Sequence, residues 1–179
     1  MNKFLNIIVA IFISICFFGC EKDDICASTT PTTPRLVISF FDKDNPNVAK
    51  SLSSLTAKAV GETNPIIFNE SATATEITKY QTSANKISLP LRLNSEETVY
   101  ELTQNSSTPT IRNTDIITIK YTTNQIYVSR ACGYKTNFRL NAENPVSRPV
   151  DDTSEWINNL IVETNNIETE NETHVKIYF

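Results

Sequence analysis

Glycine is scarce in this sequence, with 3 in 179 residues. That excludes Gly-rich loops that cradle phosphates and flexible Gly/Ser linkers. Histidine occurs once, at His174, so no His-rich metal site can be assembled. Basic residues do not outnumber acidic ones: the net charge is −4 and the pI about 5.1. A basic footprint for nucleic acid is therefore missing. Walker, dinucleotide-binding and Gly-x-Ser-x-Gly motifs are missing too. These absences leave no cofactor and no metal to expect. No apolar run reaches the roughly 20 residues needed to span a bilayer core.

The longest such run is Phe4 to Phe18, preceded by Met1-Asn2-Lys3 and followed by Gly19-Cys20. A charged start, an apolar middle and a small residue at the cut describe a secretory signal peptide over residues 1–19. With cysteine at the cleavage point, Phe17-Phe18-Gly19-Cys20 resembles a bacterial lipobox, Gly19 at −1 and Cys20 at +1. Phe17 and Phe18 depart from the Leu and small residue usual at −3 and −2. The resemblance implies that Cys20 becomes an acylated N-terminus, and several acyl chains anchor far more firmly than one. Lys22-Asp23-Asp24, just after it, resembles the surface-export signal of Bacteroidota lipoproteins. The plainer reading is a solvated charged tether. The expected location is the outer membrane, on the cell surface or the periplasmic face, with residues 20–34 as lipidated N-terminus and tether.

Cys16 leaves with the signal peptide and Cys20 is acylated, so Cys26 and Cys132 remain, in an oxidising compartment where disulfides persist. We expect a Cys26–Cys132 disulfide, the alternative being two separate buried thiols. It would close a loop of about 106 residues, worth at most about 4.7 kcal/mol in the chain-entropy view. It would also shorten the free tether to Glu21–Ile25, about 20 Å at full extension.

Residues 35–179 are rich in Thr, Asn, Ser and Ile, which favours strands and polar turns. Strands are predicted over 35–42, 51–60, 86–93, 98–104, 115–122, 125–132, 134–140 and 173–179. A brief one is expected at 77–80, and Thr123-Asn124 reads as a hairpin turn. Pro90 marks 86–93 as an edge or interrupted strand. Residues 154–163 fit strand or helix: Trp156–Leu160 and Ile157–Ile161 have helical spacing, but Asn158 and Asn159 are poor helix formers and Trp156, Leu160 and Val162 share one strand face, so strand is preferred. The fold expected is a single antiparallel β-sandwich, immunoglobulin-like in architecture.

Candidate chemistry is sparse. Carboxylates cluster at Glu96-Glu97, Asp151-Asp152 and Glu163, Glu168, Glu170, Glu172, yet adjacent acids on turns are usually solvated. His174 reads as a surface or strand-end residue. Trp156 and Tyr134, with Tyr80, Tyr100 and Tyr127, offer a ligand platform for a glycan or pack into the core. Thr33-Pro34-Arg35-Leu36, Leu89-Pro90-Leu91 and Cys132-Gly133 resemble a family of small Bacteroidota lipoproteins of unknown function. That resemblance implies a lipid-anchored extracytoplasmic domain and carries over no catalytic residue. The expected function is a non-enzymatic binding or envelope-assembly module, with an envelope protein or glycan as partner and no nucleic acid. The alternatives are a hydrolase using carboxylate or Ser/His chemistry, and a structural envelope component.

Overall fold

Runs of β-branched and aromatic residues, broken by Asn, Asp and Pro, form the strands. The computed structural model describes residues 25–73, 76–149 and 154–179. Cys20, Lys22, Asp23, Asp24 and the Asp151-Asp152 pair lie outside the described residues. The chain forms two units: Thr32–Ile126 with Thr136–Phe179, and Met1–Pro31 with Tyr127–Lys135.

The larger unit is an all-β sandwich of two sheets. One has the order β3-β1-β10-β8, built from β1 (Leu36–Phe41), β3 (Lys86–Leu89), β8 (Asn159–Val162) and β10 (Val175–Tyr178). The other has the order β2-β4-β5-β6-β9, built from β2 (Thr56–Ala59), β4 (Glu97–Gln104), β5 (Asn113–Ser129), β6 (Gly133–Leu140) and β9 (Asn166–Ile167). The short β7 (Val146–Ser147) pairs with β5. β5 and β6 contribute residues to both units.

Period-two patterning decides the faces. Leu36, Ile38 and Phe40 of β1 join Tyr100 and Leu102 of β4 and Ile117, Ile119 and Tyr121 of β5 in one core. Each such side chain stabilises the fold by roughly 1.5–3 kcal/mol when fully buried. Phe40, Trp156 and Phe179 meet there, the Trp156 and Phe179 rings 5.8 Å apart and near perpendicular. β1 is buried on its other face as well, at Val37 and Ser39, where His174 and Thr173 hydrogen-bond to them.

Several expectations change. The sandwich is not wholly antiparallel: β1 runs parallel to the C-terminal strand β10, Ile38 opposite Val175. Residues 77–80 form a 3-10 helical turn, not a strand. Thr123-Asn124 makes no turn, because β5 runs unbroken from Asn113 to Ser129. The reversal falls instead at the residues between Ser129 and Gly133, where Gly133 adopts φ +68°, a conformation cheap only without a Cβ. Only 56–59 of the 51–60 segment is strand, although Leu55, Ala57 and Ala59 are buried as their alternation predicts. Strand 86–93 stops at Leu89, before Pro90, and is indeed an edge. Within 154–163, residues 159–162 are strand and pair antiparallel with β10.

The smaller unit is held by the Cys26–Cys132 disulfide, with Cα atoms 4.9 Å apart. The Cys132 N–H donates to Ser129 Oγ at 3.1 Å. Tyr127 and Tyr134 pack ring against ring at 5.4 Å and 67°.

Candidate functional site

A concavity of the sandwich arises where two strand ends leave their sheets. β3 ends at Leu89 because Pro90 has no N–H to give a ladder. β2 ends at Ala59, and Gly61 turns the chain with φ +91°. Between these ends lies a cleft of about 460 Å³, whose floor and walls include Ile66, Leu91 and Tyr100 and whose polar rim includes Glu62, Asn64 and Arg92.

Arg92 is held by a closed cycle. Its N–H donates to Thr98 Oγ1 at 3.0 Å, and the Tyr121 hydroxyl donates to its carbonyl at 2.9 Å. Thr98 Oγ1 and Tyr121 Oη are 2.6 Å apart. Tyr121 has one hydroxyl proton, already given to Arg92, so Thr98 must donate to Tyr121. Each of the three groups thus both gives and receives, an arrangement that mutually polarises its members. The Arg92 guanidinium donates to the Val60 carbonyl at 2.5 Å and lies 3.8 Å from Glu62 Oε1. The Tyr100 hydroxyl donates to the Pro90 carbonyl. Burial pushes the pKa of both Tyr100 and Tyr121 above the ordinary phenol value, so both stay protonated donors. The Tyr100 and Tyr121 hydroxyl protons are spent on the Pro90 and Arg92 carbonyls, so what the cleft offers a polar ligand is the exposed side chains of Glu62, Asn64 and Arg92 over an apolar floor.

The residues singled out from sequence are scattered. Trp156 is a core residue, 6% exposed, with its indole N–H donating to the Leu102 carbonyl at 3.1 Å. It cannot offer a face to a ligand, so the platform with Tyr134 is corrected on that member. Tyr134 is 68% exposed and belongs to the smaller unit. His174 is fully buried rather than on the surface. Its Nδ1 accepts the Val37 N–H at 2.9 Å while the His174 backbone N–H donates to the Val37 carbonyl at 3.0 Å. The side chain thus serves backbone pairing beside β1, and burial lowers its pKa, with Lys86 adding to that and Glu172 and Glu170 opposing it. The carboxylates of the predicted clusters are dispersed in ion pairs: Glu97 with Lys120, Glu163 with Lys176, Glu170 with Arg35. Among the described residues, no group of three His, Cys, Asp or Glu side chains could hold a metal ion.

Sequence reasoning missed two things. Asp115 is fully buried, in phase with Ile117, Ile119 and Tyr121. Its carboxylate accepts the Ile157 N–H at 2.7 Å and the Trp156 N–H at 3.1 Å, with Arg148 at 3.9 Å. An acid at the head of an apolar face was the available signal. The cleft itself was foreshadowed by Pro90 and Gly61, but its members come from separate stretches and share no spacing.

Fold and cleft together define an all-β sandwich domain with a preorganised polar recess. The chain belongs to the family of unknown function DUF6452, whose model matches residues 54–179. No curated protein matches the chain, and no solved structure does.

Proposed function

We propose that this chain is a lipid-anchored outer-membrane protein of the cell envelope, on the surface or periplasmic face, that binds a partner rather than transforming one. The observation that carries the reading is the Cys26–Cys132 disulfide, a bond that persists in extracytoplasmic compartments and is rare in reducing ones. Gly19-Cys20 at the end of an apolar leader supports acylation of Cys20. Lys22-Asp23-Asp24 supports display on the cell surface. The cleft around Arg92 and Tyr100 is the recess we assign to the partner, an envelope protein or a glycan. Its exposed Glu62, Asn64 and Arg92 side chains over apolar Ile66 and Leu91 suit binding, and the Tyr100 hydroxyl is committed to the Pro90 carbonyl.

Mass spectrometry of the N-terminal peptide tests the anchor. It should begin at Cys20 and carry acyl groups; an unmodified N-terminus elsewhere would overturn it. Protease shaving of intact cells tests display, and resistance of the acylated protein would put it on the periplasmic face. For the cleft, Arg92→Ala should remove a partner that wild type retains in crosslinked membranes. Equal recovery by both proteins would move the binding surface elsewhere.

A further inference from the structure

The smaller unit carries an aromatic and basic surface that the cleft does not use. Tyr127 is 55% exposed and Tyr134 68%, although they pack against each other, and Ile25 is 85% exposed. Arg130 is exposed and Lys135 partly so, within the same Tyr127–Lys135 stretch. From Ile116 to Ala142 the sequence holds Lys120, Arg130, Lys135 and Arg139 and no acidic residue, in a chain whose net charge is −4.

The covalent layout says what this surface meets. Cys132 lies inside the stretch and is bonded to Cys26. Between Cys26 and Cys20 stand only Glu21–Ile25, about 20 Å when fully extended. An acyl anchor on Cys20 therefore holds Cys26 within that distance of the bilayer, with Cys132 a further 4.9 Å away between Cα atoms and Tyr134 and Tyr127 two and five residues beyond it. Tyrosine is an amphipathic ring that settles at headgroup level. Basic side chains gain about 1 kcal/mol each near an anionic leaflet. Glu21, Asp23 and Asp24 oppose such a leaflet, so the rings must act together with Arg130 and Lys135.

We infer that Tyr127, Tyr134 and Arg130 form a docking surface for the phospholipid headgroup layer. The inference rests on acylation of Cys20 and adds a second, non-covalent attachment. It makes the anchored state two-point: lipid at Cys20, aromatic and basic side chains at the end of the disulfide.

The test uses the full chain, expressed with its own leader, purified from membranes and reconstituted into vesicles of phosphatidylethanolamine and phosphatidylglycerol. A fraction of the phospholipid carries a photoreactive headgroup, and crosslinked peptides are mapped by mass spectrometry. Crosslinks should concentrate on Tyr127–Lys135. Arg130→Ser should lower their yield about fivefold, the equivalent of about 1 kcal/mol for one basic residue near the surface. Tyr127→Ser with Tyr134→Ser, which changes only exposed side chains, should remove them. Crosslinks absent from Tyr127–Lys135 while Cys20 is acylated would overturn the docking surface alone. An unacylated Cys20, read in the same spectra, would overturn the anchor and the inference with it. Protection of the tyrosines on cells but not on vesicles would assign the surface to another macromolecule and also overturn the inference.

Discussion

Strand β5 changes character along its length. From Asp115 to Tyr121 every second residue is buried: Asp115, Ile117, Ile119 and Tyr121. From Thr122 to Ser129 none is, and Tyr127 is 55% exposed, although Ile126, Tyr127 and Val128 are no less apolar than the residues before them. The backbone is extended in both halves. Burial is therefore set by what packs on a strand, not by the strand's own composition. The first half carries stability; the second leaves apolar surface available for contact outside the chain.

Asp115→Ala is the strongest way to test that division. It leaves two buried N–H groups without their acceptor and removes the carboxylate beside Arg148, so a loss of about 3–5 kcal/mol is expected in urea unfolding. A loss below about 1 kcal/mol would mean that the Trp156–Ile157 segment is held by packing alone. Tyr121→Phe is the next step down. It keeps the ring against Phe138, at 5.3 Å and 86°, but opens the hydrogen-bonded cycle at Arg92. The expected cost is about 1–3 kcal/mol, together with weaker partner binding in the cleft. Unchanged stability would show that water replaces the hydroxyl.

His174 sharpens the comparison from the other sheet. Asp115 is a buried acid with several donors; His174 is buried as a neutral acceptor, with its pKa lowered by burial. The unfolded chain then binds a proton more readily than the folded one below the free histidine value of about 6.5. Stability from this group is complete above about pH 6.5 and falls as pH drops from there toward the lowered folded value. His174→Asn keeps an acceptor for the Val37 N–H and should flatten that slope. A slope equal to wild type would assign the acid sensitivity to other groups. Glu170 titrates in a lower window: burial raises its pKa, but hydrogen bonds from Arg35 outweigh that and bring it below the ordinary carboxylate value. The smallest effect is expected for Tyr127→Ser, within about 0.5 kcal/mol by thermal or urea unfolding, as for exposed sites generally. A loss several times larger would mean that the ring pair with Tyr134 is structural.

Much of the fold was legible in particular residues. The alternation in Leu36–Phe41, Thr98–Gln104 and Asp115–Tyr121 gave the core faces, because side chains on a strand repeat every two residues. Cys26 and Cys132 could be paired on the expectation that Cys16 leaves with a leader and Cys20 is acylated, which leaves one partner for each. The continuity of β5 through Thr123-Asn124 was not legible: threonine and asparagine suit a turn locally, while pairing along the ladder holds them extended. The burial of His174 was hidden for a similar reason, since its partner Val37 is 137 residues away.

The match to DUF6452 begins at residue 54, after β1, yet β1 lies between β3 and β10 in its sheet. Its parallel pairing with the last strand joins Ile38 to Val175 and Phe41 to Tyr178. A single sequence holds no trace of that register, because parallel partners share no turn. By itself the sequence determined the strand periods and, through its three glycines and one histidine, left no material for Gly-rich phosphate loops or His-rich metal sites. These follow from local chemistry and from counting. Only the tertiary structure decided that Trp156 is core, that His174 is buried, that Asp115 holds Trp156 and Ile157, and that Arg92 and Tyr100 share a cleft. The first three depend on hydrogen-bond partners 41 or more residues apart, and the cleft on the 59–66 stretch meeting the 90–100 stretch; that proximity exists only once the sheets have packed.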